Sequence, residues 1–187
     1  MIEQKYSTFW PRFGAGIVDG LVFIPVDWLG SFVYSHLTSV FILVPVYIIN
    51  TSAFLVYSIW MHARYGQTLG KMVTKVIVLD ASERPLSLRQ AVLRDILDVV
   101  VLPIGLATNI PKIIYGVDTY SPTHQATTIE VVILYSTLGW FVIEILTMLT
   151  NRKRRALHDF IAGSVVIRKP DPALEPTSTA PVNSPAV

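Results

Sequence analysis

Between residues 28 and 63 the chain reads WLGSFVYSHLTSVFILVPVYIINTSAFLVYSIWMHA, and these 36 consecutive positions contain no Asp, Glu, Lys or Arg. A helix needs about 20 predominantly apolar residues to cross the hydrocarbon core of a bilayer, so the stretch suits two membrane-spanning helices. Of the 187 residues in the chain, 52% are hydrophobic and 15% are charged. A soluble domain has about 25% charged residues. The composition therefore excludes a soluble globular enzyme and predicts a polytopic membrane protein.

Four segments of the chain are apolar enough to span a membrane. The predicted helices cover about residues 13–34, 39–61, 96–115 and 131–150. The third is the weakest, because Pro103 and Pro111 would kink it and its charge-free run is short. A re-entrant or interfacial segment therefore stays open as an alternative there. The first segment is expected to remain uncleaved, since Asp19 interrupts its apolar run and no A-x-A site follows.

Lysine and arginine are distributed very unevenly among the predicted loops. Of the 15 in the chain, 14 lie in the N-terminal arm, in the loop between the second and third helices, or after the fourth helix. The remaining one is Lys112, at a helix end. Since loops rich in these residues stay in the cytoplasm, both termini are predicted to be cytoplasmic. The expected location is the cell (inner) membrane, with four helices crossing it.

The predicted cytoplasmic parts contain a small β-element. Residues 73–79 and 164–167 are rich in β-branched side chains, and we expect them to pair as a two-stranded sheet. Ser87 is a good N-cap for an amphipathic helix that begins at Leu88. The predicted fold is thus an all-α polytopic membrane domain over residues 1–169 with this added sheet. The tail, 170–187, has five prolines among small polar residues and is predicted to be disordered.

Asp19 is the most informative residue, because an acid at membrane depth costs about 2.5–3.5 kcal/mol on insertion scales. Its position six residues inside the first predicted helix corresponds to roughly 9 Å of depth. Arg12 lies seven residues earlier, almost two helical turns, so both side chains share one face. One interpretation is an ion or proton site at Asp19, whose pKa Arg12 sets. The other, equally weighted, is a buried polar clasp that holds helices together.

Glu144 lies at a matching depth in the fourth predicted helix. Two acids at one depth could share a proton or a cation, which makes Glu144 a candidate second carboxylate. The alternative, slightly favoured, is that it pairs with Arg94 or Arg152, or extends toward the interface. Gly16 and Gly20 form a G-x-x-x-G pattern beside Asp19, which is typical of close helix packing and says nothing about substrate.

Two further acid–base pairs have the i, i+4 spacing of a local ion pair. These are Arg94 with Asp98 and Arg155 with Asp159, which we interpret as a structural polar cluster. Cysteine is absent, and the four histidines have no metal-ligand spacing, so neither a metal nor a cofactor is expected. The sequence has no basic stripe with interleaved aromatic residues, so nucleic-acid binding is not expected. The segment 66–71, GQTLGK, differs from a P-loop in spacing and context, so we reject nucleotide binding there.

Four sequence blocks follow one another along the chain: FWPRFGAGIVD at 9–19, GQTLGK at 66–71 with VIVLD at 76–80, AVLR at 91–94, and RALHDFIAGSVV at 155–166. In this order, they together resemble the RDD family of bacterial membrane proteins. The family is named for one arginine and two aspartates. By this resemblance, Arg12 and Asp19 match the arginine and the first aspartate, and Asp159 is taken as the second.

The resemblance implies more about the fold than about the activity. By this resemblance, members of the family are suspected of transport, and some have been proposed to be sodium/proton antiporters. Others resemble accessory components of the membrane. We therefore expect a small transporter or cation/proton exchanger with Asp19, Arg12 and Glu144 at its site. Its partners would be the lipid bilayer and a monovalent cation or proton, and four short helices would require a homo-oligomer or another membrane protein. The alternative is a non-transporting scaffold, and an enzyme is not expected because no nucleophile and base pair stands out.

Overall fold

The computed structural model describes residues 5–117 and 126–169. The tail that is predicted to be disordered, 170–187, lies outside the described residues, as does most of the loop between the third and fourth long helices. In chain order the elements are α1 (Phe9–His36), α2 (Val40–Tyr65), α3 (Leu69–Val73), β1 (Val76–Asp80), α4 (Leu88–Arg94), α5 (Ile96–Ile114), α6 (Thr128–Thr150), α7 (Leu157–Ile161) and β2 (Ser164–Arg168).

Helices α1, α2, α5 and α6 are long and apolar enough to cross a membrane, with lengths of 28, 26, 19 and 23 residues. This confirms the four predicted segments, although their ends move. Helix α1 begins at Phe9, four residues before the predicted start. The third segment forms one helix despite Pro103 and Pro111.

The predicted sheet is confirmed. Strands β1 and β2 pair antiparallel, with Val78 opposite Val166 and Asp80 opposite Ser164. Three of the four residues of the small hydrophobic core come from the strands, and the core consists of Val76, Val78, Leu86 and Val166. The predicted beginning of the first strand at Val73 is wrong, because that residue ends helix α3.

Short helices connect the sheet to the bundle. Ser87 caps α4 as predicted, by accepting a hydrogen bond from the Gln90 backbone N–H while the Gln90 side chain accepts one from the Ser87 N–H. Gly66 ends α2 with φ of +66°, and its carbonyl accepts a hydrogen bond from the Val78 N–H at 2.8 Å. A side chain here would be strained and would meet the Val78 carbonyl, so glycine directs the chain into the sheet.

Helix α3 packs closely against α1. A Cβ atom built at Gly70 would lie 2.0 Å from the Ala15 carbonyl oxygen and 2.9 Å from Cγ of Asp19. Because α1, α2, α5 and α6 run alternately up and down, the sheet, α3, α4 and α7 gather at one end of the bundle. We call this the sheet end; it holds the start of α1, the end of α2, the start of α5 and the end of α6.

Candidate functional site

Asp159 is the centre of a buried ion cluster at the sheet end. Its side chain is fully buried, at 0% exposure, and one carboxylate oxygen lies 2.7 Å from Nη1 of Arg12. The other oxygen accepts from Nη1 of Arg94 and, at 3.1 Å, from the Ser164 hydroxyl. The Ala156 N–H donates to the carboxylate at 2.9 Å and fixes it at the start of α7. One acid thus joins α1, α4, α7 and β2.

The surrounding charges keep Asp159 ionised. Burial by itself would raise the pKa of this carboxyl group, but the positive charges of Arg12 and Arg94 outweigh it and hold the pKa well below its ordinary value. A buried acid with two buried guanidinium partners is a strong link between elements, because loss of the acid would leave both cations without compensation.

Glu144 connects this cluster to the interior of α6. Its carboxylate accepts from Trp140 Nε1 at 2.8 Å and contacts Nδ1 of His158. The other ring nitrogen of His158 lies 3.0 Å from Nη2 of Arg94, which can only donate. In this arrangement, Nε2 therefore accepts, and Nδ1 carries the proton that it donates to Glu144. The alternative partners considered from the sequence, Arg94 and Arg152, are replaced by His158, which lies between Glu144 and the guanidinium of Arg94.

Asp19 belongs to a second cluster, between α1, α2 and α3. It is 4% exposed. One carboxylate oxygen accepts from the Tyr57 hydroxyl and the Gly70 N–H, each at 2.8 Å, and the other accepts from the Thr68 hydroxyl at 2.6 Å. The Tyr57 hydroxyl in turn accepts from the Leu69 N–H at 2.7 Å. These four hydrogen bonds tie the first turn of α3 to Asp19, either directly or through Tyr57.

The structure separates Arg12 from Asp19, which the sequence places on one helix face. The guanidinium of Arg12 binds Asp159 and does not form an ion pair with Asp19 among the described residues. Asp159 comes from a part of the chain 147 positions after Arg12, and it reaches the guanidinium directly, whereas Asp19 lies seven residues deeper along α1. Glu144 and Asp19 likewise have different partners, so the two acids do not form one shared carboxylate pair.

Neither of the two i, i+4 ion pairs considered from the sequence is present among the described residues. Arg94 is the last residue of α4, and the helix breaks at Asp95 before α5 begins, so Asp98 is not one helical turn away from it. Arg155 precedes α7 and donates to backbone carbonyls, to Ser164 at 2.8 Å and to Asp159 at 2.9 Å. The i, i+4 rule requires one continuous helix, and neither pair has it.

Gly16 and Gly20 lie on an exposed face of α1. A Cβ atom built at either glycine meets nothing within 4 Å in the described residues. The close packing predicted from the G-x-x-x-G pattern therefore does not occur among the residues that the structure describes, and packing against a helix of another chain stays a prediction.

A third polar group lies beside these clusters, and sequence reasoning missed it. It consists of Ser58, His62, Lys71 and Asp95, from α2, α3 and the junction of α4 with α5. His62 is 3% exposed, and its Nδ1 lies 2.8 Å from the Ser58 carbonyl oxygen. Burial lowers the pKa of Lys71 to about 8, and Arg94 adds to this effect while Asp19 opposes it.

Weak signals for the missed residues were present in the sequence. Lys71 ends the GQTLGK block, and His158 adjoins Asp159. Helical periodicity could not reveal them, because their partners come from distant parts of the chain.

Comparison with known families places the geometry in context. The family model described as "RDD family" matches residues 6–163. Comparisons with curated proteins and with solved structures give no match.

Proposed function

The chain belongs to the RDD family, since the family model matches most of its length, and from this premise we propose that it is a small multi-pass transporter or cation/proton exchanger. The observation that carries the proposal is a continuous series of ionisable side chains running from inside α6 to the sheet end. Glu144 contacts His158, which contacts Arg94, and Arg94 binds Asp159. Such groups are costly within a membrane and are typical of proton and ion pathways.

In this proposal, Glu144 and His158 exchange the proton. Glu144 lies six residues from the end of α6, or roughly 9 Å along the axis. His158 would first take up a proton from the sheet end at Nε2, which requires this nitrogen to separate from Arg94. The imidazolium would then pass its Nδ1 proton to Glu144 across their direct contact, which leaves a neutral imidazole and a neutral carboxylic acid. Both side chains are partly exposed, and the proposal requires that water reach them from the sheet end.

Arg12 and Asp19 have different parts in the proposed exchanger. Through its ion pair with Asp159, Arg12 adds positive charge at the end of the series that contains Glu144 and His158, and it does not act on Asp19. Asp19, with three hydrogen-bond donors on its carboxylate, supplies a fixed negative charge that attracts a cation to the neighbouring polar group.

The proposal includes the setting of the protein. We expect a monovalent cation and the proton as its ligands, and no cofactor or catalytic activity. Both termini and the sheet end would face the cytoplasm from the inner membrane, as the positive-inside rule predicts. Four membrane-spanning helices are few for alternating access, so the exchanger would work as a homo-oligomer or with a membrane-protein partner.

A second candidate is a non-transporting scaffold, and a specific observation favours it. Asp159 is held by two arginines and Asp19 by three donors, so both acids are already fully engaged in joining α1 to the sheet end. In a scaffold these contacts would only stabilise the fold, and no proton would move.

Proton flux separates the two candidates. Purified protein in liposomes that enclose a pH-sensitive dye is challenged with pulses of sodium, potassium or choline chloride. The exchanger predicts a pH change with sodium or potassium that falls at least tenfold in Glu144→Gln. Glu130→Gln is the matched control, because Glu130 lies in the same helix but pairs with Lys112 at its other end.

Each outcome decides between the candidates. Flux that survives in Glu144→Gln rules out the assigned proton pathway. Absence of flux with every cation, from protein that is correctly folded and reconstituted, favours the scaffold.

A further inference from the structure

Four consecutive basic residues lie in the loop between α6 and α7, and two of them have structural tasks. The loop reads NRKRRA at 151–156. Arg155 donates hydrogen bonds to backbone carbonyl oxygens of α7 and β2, at 2.9 and 2.8 Å. Arg154 turns back onto α6, where its Nη1 donates to the Leu149 carbonyl oxygen at 3.3 Å. Both guanidinium groups thus serve the fold, which leaves the other two cations for an external partner.

Arg152 and Lys153 are the two exposed cations of this loop. Neither forms an ion pair with an acid in the described ranges 5–117 and 126–169. The Lys153 ammonium lies 6.0 Å from the centre of the Tyr6 ring, which is a cation–π distance. Glu83 interacts electrostatically with Lys153, but it is already paired with Lys5 at 2.6 Å. The loop therefore presents two positive charges to an external partner.

Asn151 holds the loop in one conformation. Its side-chain amide donates to the Thr147 carbonyl oxygen and, at 2.7 Å, to the Arg155 carbonyl oxygen. Its side-chain oxygen accepts from the Arg155 N–H at 2.9 Å. A partner that binds Arg152 and Lys153 does not have to order this backbone, and binding is therefore spared a cost in conformational entropy.

The loop lies at the level of the lipid headgroups. Helix α6 has 23 residues, which correspond to about 34 Å, and the hydrocarbon core is about 30 Å thick. The residues directly after its end at Thr150 therefore enter the interface. Nη1 of Arg12 lies 3.4 Å from Sδ of Met148, so the start of α1 reaches the same level. Trp10 lies there and is 74% exposed, as expected for tryptophan in an interfacial belt.

Phosphate is the group that this loop is best suited to bind. A guanidinium offers phosphate two parallel N–H donors, and a lysine ammonium binds it as a point charge. Basic residues that directly follow a membrane-spanning helix attract anionic lipids. Nucleic acid or an acidic protein would be met beyond the headgroups, so a lipid phosphate is the favoured partner at this depth.

We propose that Arg152 and Lys153 form a binding site for the headgroup of an anionic phospholipid in the leaflet at the sheet end. The site goes beyond the proposed function, because an exchanger and a scaffold could both use it. Bound lipid would fix the position of the loop at the membrane surface, and the hydrogen bonds between Asn151 and Arg155 would transmit this to the end of α6.

Native mass spectrometry of the full chain in detergent tests the site. The protein is titrated with phosphatidylglycerol and with phosphatidylcholine of the same acyl chains, and dissociation constants are obtained from the lipid-bound fractions. Each basic residue near an anionic surface should strengthen binding about fivefold, so Arg152→Gln combined with Lys153→Gln should weaken phosphatidylglycerol binding by about 30-fold. Phosphatidylcholine binding should change little.

Matched variants assign the effect to these two residues. Arg84→Gln combined with Arg89→Gln removes the same net charge from two exposed positions between β1 and the first turn of α4, and it should keep the preference for phosphatidylglycerol. Arg152→Lys retains the charge and should retain most of the preference. If the first double variant does not fold, Arg152→Gln alone should weaken phosphatidylglycerol binding about fivefold and decides the matter.

A loss of affinity confined to the variants of Arg152 and Lys153 supports the site. Equal binding of the two lipids by the wild type overturns it, as does an equal loss in the control double variant, which would show only a diffuse positive field. Glycerol phosphate or polyglutamate that displaces the lipid at equal concentration would assign the cations to a soluble anion instead. No flux is measured, so the result is independent of the exchanger.

Discussion

Removing the charge of Asp159 should destabilise the protein more than removing any exposed acid. Asp159→Asn keeps the shape of the side chain but leaves Arg12 and Arg94 buried without a compensating charge. Breaking a buried ion pair by removing one partner costs about 3–5 kcal/mol. At 1.36 kcal/mol for each factor of ten, the unfolding equilibrium should shift by about two to four orders of magnitude.

Reversible unfolding in mixed micelles measures this change as a difference in the free energy of unfolding. Glu83→Gln is the matched control, because Glu83 is an acid paired with Lys5 at 2.6 Å, but both side chains are more than one third exposed. An exposed pair contributes about 0–1 kcal/mol. Asp159→Asn should therefore exceed this control several-fold.

The pH dependence provides a second check on the same residue. The folded-state pKa of Asp159 lies well below its ordinary value, so its stabilising contribution is complete above the unfolded pKa of about 3.9 and is lost as pH falls toward the folded value. The difference between wild type and Asp159→Asn should be constant from pH 7 to pH 5 and should shrink below about pH 4.

The double variant tests whether the arginines are responsible. If they are, adding Arg12→Gln to Asp159→Asn should recover part of the lost stability, because one uncompensated cation disappears. A loss below 1 kcal/mol for Asp159→Asn, or strictly additive effects in the double variant, would refute the account of a buried charge lock.

Two further predictions concern the contact between α1 and α3. Gly70→Ala should destabilise the protein and separate α3 from α1, because the added Cβ would lie 2.0 Å from the Ala15 carbonyl oxygen. Gly16→Ala, which has open space around it, should be neutral or slightly stabilising. Equal thermal stability of the two variants would contradict this packing. Thr68→Val should lower the free energy of unfolding by about 1–3 kcal/mol, because Asp19 loses a buried hydrogen-bond donor. Thr68→Ser keeps the hydroxyl and should retain most of the stability. Equal losses of stability in the two variants would show that the hydroxyl is not the reason.

Local patterns predicted the elements well where an element depends on neighbouring residues. Charge-free length located the four long helices, and the Ser87 cap fixed the start of α4. The β-branched runs identified both strands, but Val73 was wrongly included in the first because α3 is a short helix held in place by its contact with Asp19. That contact is 51 positions apart in sequence, so no local pattern contains it.

The site was predicted less well than the fold, for the same reason. Arg12, Asp19, Glu144 and Asp159 were identified as residues of interest because charge is costly in an apolar helix or because a family motif contains them. Their partners were mostly misassigned, since spacing along one helix ignores a side chain that arrives from elsewhere.

The sequence alone determined that this chain is a membrane protein with four long apolar helices and a small sheet, because hydrophobic length and β-branched runs are properties of consecutive residues. Only the tertiary structure decided that Arg12 pairs with Asp159 and that Asp19 binds the first turn of α3. Electrostatic and hydrogen-bond energies depend on distance in space, and the folding of the sheet end against the helices sets those distances.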